Sequence, residues 1–201
     1  MTSIKGTNLA ILASGTGTNF KDIVESAQRN ELPVEVKLLI TDKEEIGAIA
    51  HAKNLQIPFV VIKPRSFLNF DDWDHEVAET LVNYEIEFVV LAGVLRKIGP
   101  HTLEAVKGQM INTHPSLLPS YGGKGMYGIN VHKAVVENGE KVSGCTVHWV
   151  NDHYDEGQII GQKQVEVLPD DTPESLASRV KAVENPFLIA VLKSVLSKNQ
   201  S

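Results

Sequence analysis

Asn8-Leu9-Ala10-Ile11-Leu12-Ala13-Ser14-Gly15-Thr16-Gly17-Thr18-Asn19 decides the fold. Asn8–Ser14 is a short apolar run, the length of a buried strand, and it ends in a loop with two glycines. An amphipathic helix is predicted next, with Phe20, Ile23, Val24 and Ala27 on one face. The alternation continues downstream. Val34–Thr41 reads as a second buried strand, Ile46–Leu55 as a helix and Phe59–Ile62 as a third strand. Phe70, Trp73, Val77, Leu81 and Tyr84 recur at helical spacing. Phe88–Ala92 and Met110–Thr113 read as the fourth and fifth strands. A β-α-β alternation of this kind predicts a parallel sheet with helices on both faces.

The pattern changes further on. Val142–Val150 and Gln158–Val167 are two long strand-like runs joined by Asn151–Gly157, which predicts mixed or antiparallel strands added at one side. Glu174–Leu196 reads as a closing helical segment broken at Pro186, because proline lacks the amide proton a helix interior needs. There is no internal repeat, low-complexity tract or linker. At 201 residues one domain is expected, or one with a small appendage.

The formal net charge of −6 argues against a nucleic-acid partner, since phosphate neutralisation needs a basic face. It leaves room for a small anionic substrate, which needs only a local cradle. One cysteine, Cys145, allows no internal disulfide and fits a reducing compartment. Met1–Gly6 is short and polar, and no apolar run approaches a membrane span. A soluble cytoplasmic protein without a membrane partner is the expectation.

The Ser14–Asn19 loop lies between a strand and a helix. Glycines let the backbone approach an anion, and a helix N-terminus supplies amide donors; the threonine hydroxyls and the Asn19 amide would add more. A dinucleotide fingerprint would want a third glycine where Phe20 stands, and the Gly-Lys-Ser/Thr of a nucleotide-triphosphate loop is absent. The loop therefore favours a phosphate monoester. The bland alternative is a tight turn that caps a helix.

Met110-Ile111-Asn112-Thr113-His114-Pro115-Ser116-Leu117-Leu118-Pro119 carries the chemistry. Asn112 and His114 are two apart, so both side chains leave the same face of a strand. Pro115 and Pro119 end regular pairing and stiffen the exit. An amide and an imidazole fixed together suit an oxyanion stabiliser and a proton donor. Taken singly, His114 is as well explained as a satisfied core histidine, and Asn112 as a turn residue. Their position at the C-terminal end of a sheet strand, where open α/β sheets bind ligands, favours the functional reading.

Asn151–Gly157 is acidic and reads first as a solvated turn. Its functional alternative is a carboxylate reaching back to His114, orienting the ring and favouring its cationic form. His148, Asp152, His153 and Asp155 match no structural zinc spacing, so no metal is predicted. Gly93–Ile98 follows the fourth strand. It is either an ordinary loop or a set of backbone edges for a planar heterocycle. Gly122–Gly128, the one glycine-rich loop, has the composition of a mobile flap, and Lys124 offers it a cation.

Together these residues resemble the phosphoribosylglycinamide formyltransferases. The likeness rests on Ser14–Asn19, on Val90-Leu91-Ala92-Gly93 with Arg96, and on Asn112–Pro119. Gly144-Cys145-Thr146-Val147-His148 and Asp155-Glu156-Gly157-Gln158-Ile159-Ile160 extend it. It runs from about Asn8 to Glu184. The resemblance implies a three-layer α/β, Rossmann-like formyltransferase fold with a mostly parallel central sheet. It further implies one domain over 1–201, with a phosphate-binding half near 8–106 and a catalytic and folate half near 107–201.

The implied activity is formyl transfer from 10-formyltetrahydrofolate, a co-substrate, to the amine of 5′-phosphoribosylglycinamide, without a metal. By position, Asn112, His114 and Asp155 match the catalytic trio. Gly17, Thr18, Asn19, Lys181 and Glu184 match the residues that hold the phosphorylated substrate. Leu95, Arg96, Lys97 and Ile98, with Asn112, Asn151, Asp152 and Asp155, match the folate contacts. A cis Leu118–Pro119 bond is also implied, and a homodimer stays open. Phe70 stands where the family often has an arginine facing the folate tail, and Asn185-Pro186-Phe187 departs from the family's usual ending. A transformylase acting on methionyl-tRNA would be expected to carry a further C-terminal domain, and a formylfolate hydrolase an N-terminal regulatory one. A nicotinamide-dependent oxidoreductase, reading a ribose with Asp42, is disfavoured by Phe20.

Overall fold

The structure, a computed structural model, describes residues 6–94 and 96–198. Seven strands form one sheet: β1 (Thr7–Ala13), β2 (Val34–Thr41), β3 (Phe59–Val61), β4 (Phe88–Ala92), β5 (Met110–His114), β6 (Val142–Trp149) and β7 (Ile159–Glu166). Their spatial order is β3-β2-β1-β4-β5-β6-β7. Strands β1 to β5 run parallel to one another, β6 runs antiparallel to β5, and β7 runs antiparallel to β6. The mostly parallel α/β sheet and its antiparallel extension agree with the sequence reading.

The helices are α1 (Thr18–Gln28), α2 (Gly47–Asn54), α3 (Phe70–Asn83), α4 (Pro100–Ala105), α5 (Ile129–Glu137) and α6 (Pro173–Lys198), with a 3₁₀ turn at Pro64–Ser66. Side chains of the central strands alternate between two cores. Leu9, Ile11, Leu39, Val90 and Ile111 face α1, α2 and α6, meeting Phe20, Ile23, Leu188 and Leu192. Ala10, Leu12, Leu38, Val89, Leu91 and Met110 face α3 and α4, meeting Trp73, Val77 and Leu81. Burial on both faces explains why these strands read as continuous apolar runs. A third cluster joins Cys145 and Val165 to Val135 of α5 and to Leu176 and Val180 of α6.

Three findings depart from the sequence reading. The short helix α4 was not predicted; its cap comes from a distance. The fully buried Asp74 carboxylate of α3 accepts the amides of Gly99 and His101 and the Thr102 hydroxyl. Helix α5 was not predicted either, although Val131 and Val135, four apart, both point into the core. Finally, Pro186 does not break the last helix, which runs unbroken from Pro173 to Lys198. An interior proline costs about 3 kcal/mol through its missing bond and its ring. Buried Leu188, Leu192 and Leu196 each return about 1.5–3 kcal/mol, and Asn185, next to the proline, bonds the Asp22 carboxylate of α1.

The strand order reverses direction between β1 and β4. Chain connections lead outward on either side of that seam, so the C-terminal ends of β1, β4 and β5 open into one crevice, the usual ligand position in such sheets. Among the described residues no helix is long and apolar enough to cross a membrane.

Candidate active site

A cavity of about 950 Å³ occupies this crevice. Its walls come from Gly15–Asn19 after β1, Ala92–Val94 after β4 and Asn112–Pro115 at the end of β5. Gly123–Ile129, Tyr154 and Asp155, and the α6 residues Lys181 and Glu184 complete it. That volume accommodates two small ligands side by side.

The centre of the cavity is built by β-register. Asn112 stands opposite His148 on β6, and its amide nitrogen lies 3.1 Å from His148 Nε2. His148 Nδ1 lies 2.8 Å from the Trp149 carbonyl and donates to it, which leaves Nε2 facing the Asn112 amide and, at 3.6 Å, Asp155 Oδ1. Asn112 Nδ2 also reaches Asp155 Oδ1 at 3.4 Å. His114 is oriented from the other side: its Nε2 donates to the Tyr121 carbonyl at 2.8 Å, and its Nδ1 faces Asp155 Oδ2 at 3.5 Å.

Asp155 comes from the β6–β7 loop and adopts a left-handed backbone, φ +57°. The loop folds back because Gly157 passes against the Trp149 carbonyl, where a Cβ would lie 1.6 Å from the oxygen. Oδ2 of Asp155 also accepts the Gly123 amide at 3.0 Å. Burial works to raise the Asp155 pKa. The hydrogen bond to His148, the His114 charge and the Gly123 amide outweigh it, and the carboxyl is held below its ordinary value.

The exit after His114 is tied by long-range bonds. The Thr146 hydroxyl donates to the Ser116 carbonyl and accepts the Leu118 amide, and Gln162 donates to the Leu118 carbonyl. The Leu118–Pro119 bond is cis.

At the other end, Gly17 is the residue before α1 and has φ +79°; a Cβ there would meet Ala48 of α2 at 2.4 Å. No side chain caps the helix, and its first residues, Thr18 and Asn19, line the cavity. Asn19 is 5% exposed, and its side chain is committed elsewhere. Its amide donates to Glu184 Oε1 at 2.8 Å, and its carbonyl oxygen accepts Lys181 Nζ at 2.9 Å. Lys181 Nζ lies 3.1 Å from Glu184 Oε1, closing a triad between α1 and α6. This revises the expected supply of donors: the Asn19 amide braces Glu184, which leaves the loop amides and hydroxyls for an anion.

Asn112, His114, Asp155, Gly17, Thr18, Asn19, Lys181 and Glu184 thus share one cavity. Other candidates lie apart from its wall. The Arg96 guanidinium sits over the Trp73 ring at 5.6 Å, and Ile98 is buried among the α3-side core. Lys97, Asn151 and Asp152 are exposed outside it. Leu95 lies outside the described residues. The four residues weighed as metal ligands are split. His153 pairs with Asp152 at the surface, while His148 and Asp155 belong to the site. Phe70 stands at the start of α3 with its ring 5.7 Å from that of Trp73.

The sequence reading missed three contributors: His132, the Tyr121 carbonyl and the role of His148 in holding Asn112. The Tyr121 and His148 contacts depend on turn and register geometry that no local pattern carries. His132 had a signal, the helical spacing of Val131 and Val135 around it.

A family model described as formyl transferase matches residues 7–192. A phosphoribosylglycinamide formyltransferase of Bacillus subtilis is 35% identical over 190 residues, 94% of this chain and 95% of that protein. A chloroplastic phosphoribosylglycinamide formyltransferase of Vigna unguiculata is 38% identical over 96% of this chain, which spans 62% of the plant protein's length. The crystal structure of phosphoribosylglycinamide formyltransferase from Bacillus halodurans superposes with a TM-score of 0.90 at 37% identity, over 96% of this chain and 97% of that one.

Proposed function

Because the chain belongs to the formyl transferase family, we propose that it transfers a formyl group from 10-formyltetrahydrofolate to the amine of 5′-phosphoribosylglycinamide, a step of purine biosynthesis. The observation that carries this reading is the Asp155 carboxylate, which reaches both Asn112 and His114 in the cavity that also receives the Gly17–Asn19 loop.

In this reading the phosphate rests on the first-turn amides of α1, with Lys181 and Glu184 beside it. The substrate amine adds to the formyl carbon, and the carbonyl oxygen gains negative charge. Asn112 Nδ2–H is the neutral donor to that oxygen, exchanging its long 3.4 Å contact with Asp155 Oδ1 for it. His114 has given its Nε2–H to Tyr121, so Nδ1 is the atom that carries the mobile proton. The adjacent Asp155 carboxylate orients the imidazole and orders the water that relays protons, and His114 then protonates the leaving folate nitrogen. Loss of one oxyanion donor in such a site costs on the order of 3 kcal/mol in the barrier.

The folate side of the cavity would be lined by Ala92–Val94, Asn112, Tyr154 and Asp155. Arg96, Lys97, Ile98, Asn151 and Asp152 would join it only where the ligand extends past the wall. The fit is supported by the apolar strand ends beside a few convergent polar groups. One domain over 1–201, with a phosphate-binding half at 8–106 and a catalytic half at 107–201, belongs to this reading. So do a cytoplasmic location and small-molecule partners; a homodimer is compatible with it. Mixing the protein with phosphoribosylglycinamide and a formylfolate tests it. The folate absorbance should change only when both substrates are present, and no change would overturn the assignment.

A further inference from the structure

Both ring nitrogens of His114 face an acceptor. Nε2 lies 2.8 Å from the Tyr121 carbonyl, and Nδ1 lies 3.5 Å from Asp155 Oδ2. A neutral imidazole has one N–H to give, so the two acceptors compete for it. The Tyr121 contact is of hydrogen-bonding length and the Asp155 contact is long, so the proton stays on Nε2. The nitrogen that keeps its proton in the neutral ring decides which one the cationic ring releases. With Nε2–H held by Tyr121, the released proton is the one on Nδ1.

The Tyr121 carbonyl does not reach that place by default. Tyr121 has φ +56°, a left-handed backbone that a bulky aromatic residue rarely adopts and that persists only where neighbours enforce it. Its side chain is held at the far end. The phenol Oη donates to Glu140 Oε1 at 2.7 Å and accepts from Asn138 Nδ2 at 3.0 Å. The ring packs on the cluster of Val135, Cys145, Val165, Leu176 and Val180. Asn138 and Glu140 belong to the turn that ends α5, which is closed by backbone bonds from Asn138 to Ala134 and from Glu140 to Val135. Burial raises the Tyr121 pKa above the ordinary 10.0; Asn138 works to lower it and Glu140 adds to the rise, so the phenol keeps its proton throughout the neutral range.

We propose that Tyr121 is a positioning residue for His114: its phenol, tied to Asn138 and Glu140, fixes the backbone turn whose carbonyl holds the His114 Nε2 proton. The inference rests on the formyl-transfer reading for the use of the proton, and on this chain's own contacts for the geometry. Glu140 lies outside the cavity wall, so the turn after α5 bears on the acid without touching a ligand. Without the anchor, Tyr121 is free to leave the left-handed region and its bond to His114 lengthens. The neutral ring then turns its proton to Nδ1 and the charged acceptor, Asp155. A cationic ring would in that case release its proton at Nε2, toward Tyr121 and away from the reacting group.

The test compares the wild type with Tyr121→Phe, Glu140→Leu and Glu140→Gln. Nitrogen-15 spectra of the neutral His114 ring, taken at alkaline pH, should show the Nε2–H tautomer alone in the wild type. Tyr121→Phe, which keeps the ring packing, should populate Nδ1–H as well. It should also lower kcat about tenfold, the effect of one hydrogen bond to a charged group, and leave both KM values little changed. Glu140→Leu should do the same, and Glu140→Gln, which keeps an acceptor for the phenol, should restore wild-type behaviour. A Tyr121 with only a structural role would lower the melting temperature in Tyr121→Phe and leave the tautomer and kcat unmoved. That outcome, or a wild type protonated on Nδ1, overturns the proposal and leaves the formyl-transfer reading standing. If the wild type does not turn over the two substrates, that reading fails, while the spectra still decide whether Tyr121 orients His114.

Discussion

Asp155 Oδ2 stands 3.5 Å from His114 Nδ1, and the same oxygen accepts the Gly123 amide at 3.0 Å. One carboxylate thus joins the candidate acid to the second residue of the glycine-rich Gly122–Gly128 loop. Its pKa lies below the ordinary 3.8, so it stays an anion throughout the neutral range. Asp155→Asn should keep the fold and slow turnover by about a hundredfold or more. His114→Ala should be similarly damaging, and the double variant little worse than the worse single one, since the two act as a unit. Near-normal turnover in Asp155→Asn, or effects that simply add, would return Asp155 to a structural role.

The left-handed backbone at Gly17 and the 2.4 Å approach to Ala48 leave no room for a side chain. Gly17→Ala should destabilise the fold by about 2–4 kcal/mol, combining backbone strain with displacement of α2. Denaturant midpoints at unchanged m-value measure this. A change under about 0.5 kcal/mol would mean that α2 yields freely.

Four of the seven residues from Gly122 to Gly128 are glycine, and Gly123–Gly128 line the cavity. Amide exchange in this segment should slow when phosphoribosylglycinamide or a formylfolate binds. Exchange that stays fast with both ligands present would show that the segment does not close over them.

Arg179 donates two bonds of 2.6 Å to the Asp171 carboxylate. Those bonds hold the Asp171 pKa well below its ordinary value of 3.8 against the opposing effect of burial, with help from Ser175 and the Leu168 amide. A depressed carboxyl stabilises the fold fully above its unfolded value and loses that effect as pH falls through the folded one. Arg179→Ala should therefore lower the melting temperature by a few degrees at neutral pH. The gap to wild type should begin to close only below about pH 3.8. A gap that is independent of pH down to acid unfolding would remove the ion pair as its cause.

The alternation of apolar runs and helical spacing was enough to read the parallel sheet, because strands buried on both faces cannot tolerate polar residues. Asn112 and His114 were legible as a pair for a similarly local reason: a strand puts residues two apart on the same side. Helix α4 was not legible, since Asp74 caps it from 25 residues away in sequence. Pro186 misled because a local rule was overridden by the core contacts of Leu188 and Leu192.

The sequence by itself determined which segments become strands and which residue types stand at the strand ends, through periodicity and turn chemistry. Only the tertiary structure decided how they combine. The reversal of strand order beside β1 brings its loop next to β4 and β5. Antiparallel register sets His148 against Asn112, and a backbone turn at Asp155 delivers a carboxylate to both Asn112 and His114. The Asn19–Lys181–Glu184 triad joins residues 165 positions apart, and His132 was set in the cavity wall by the packing of α5. These arrangements depend on contacts distant in the chain, whose geometry is fixed only when the two cores close around the sheet.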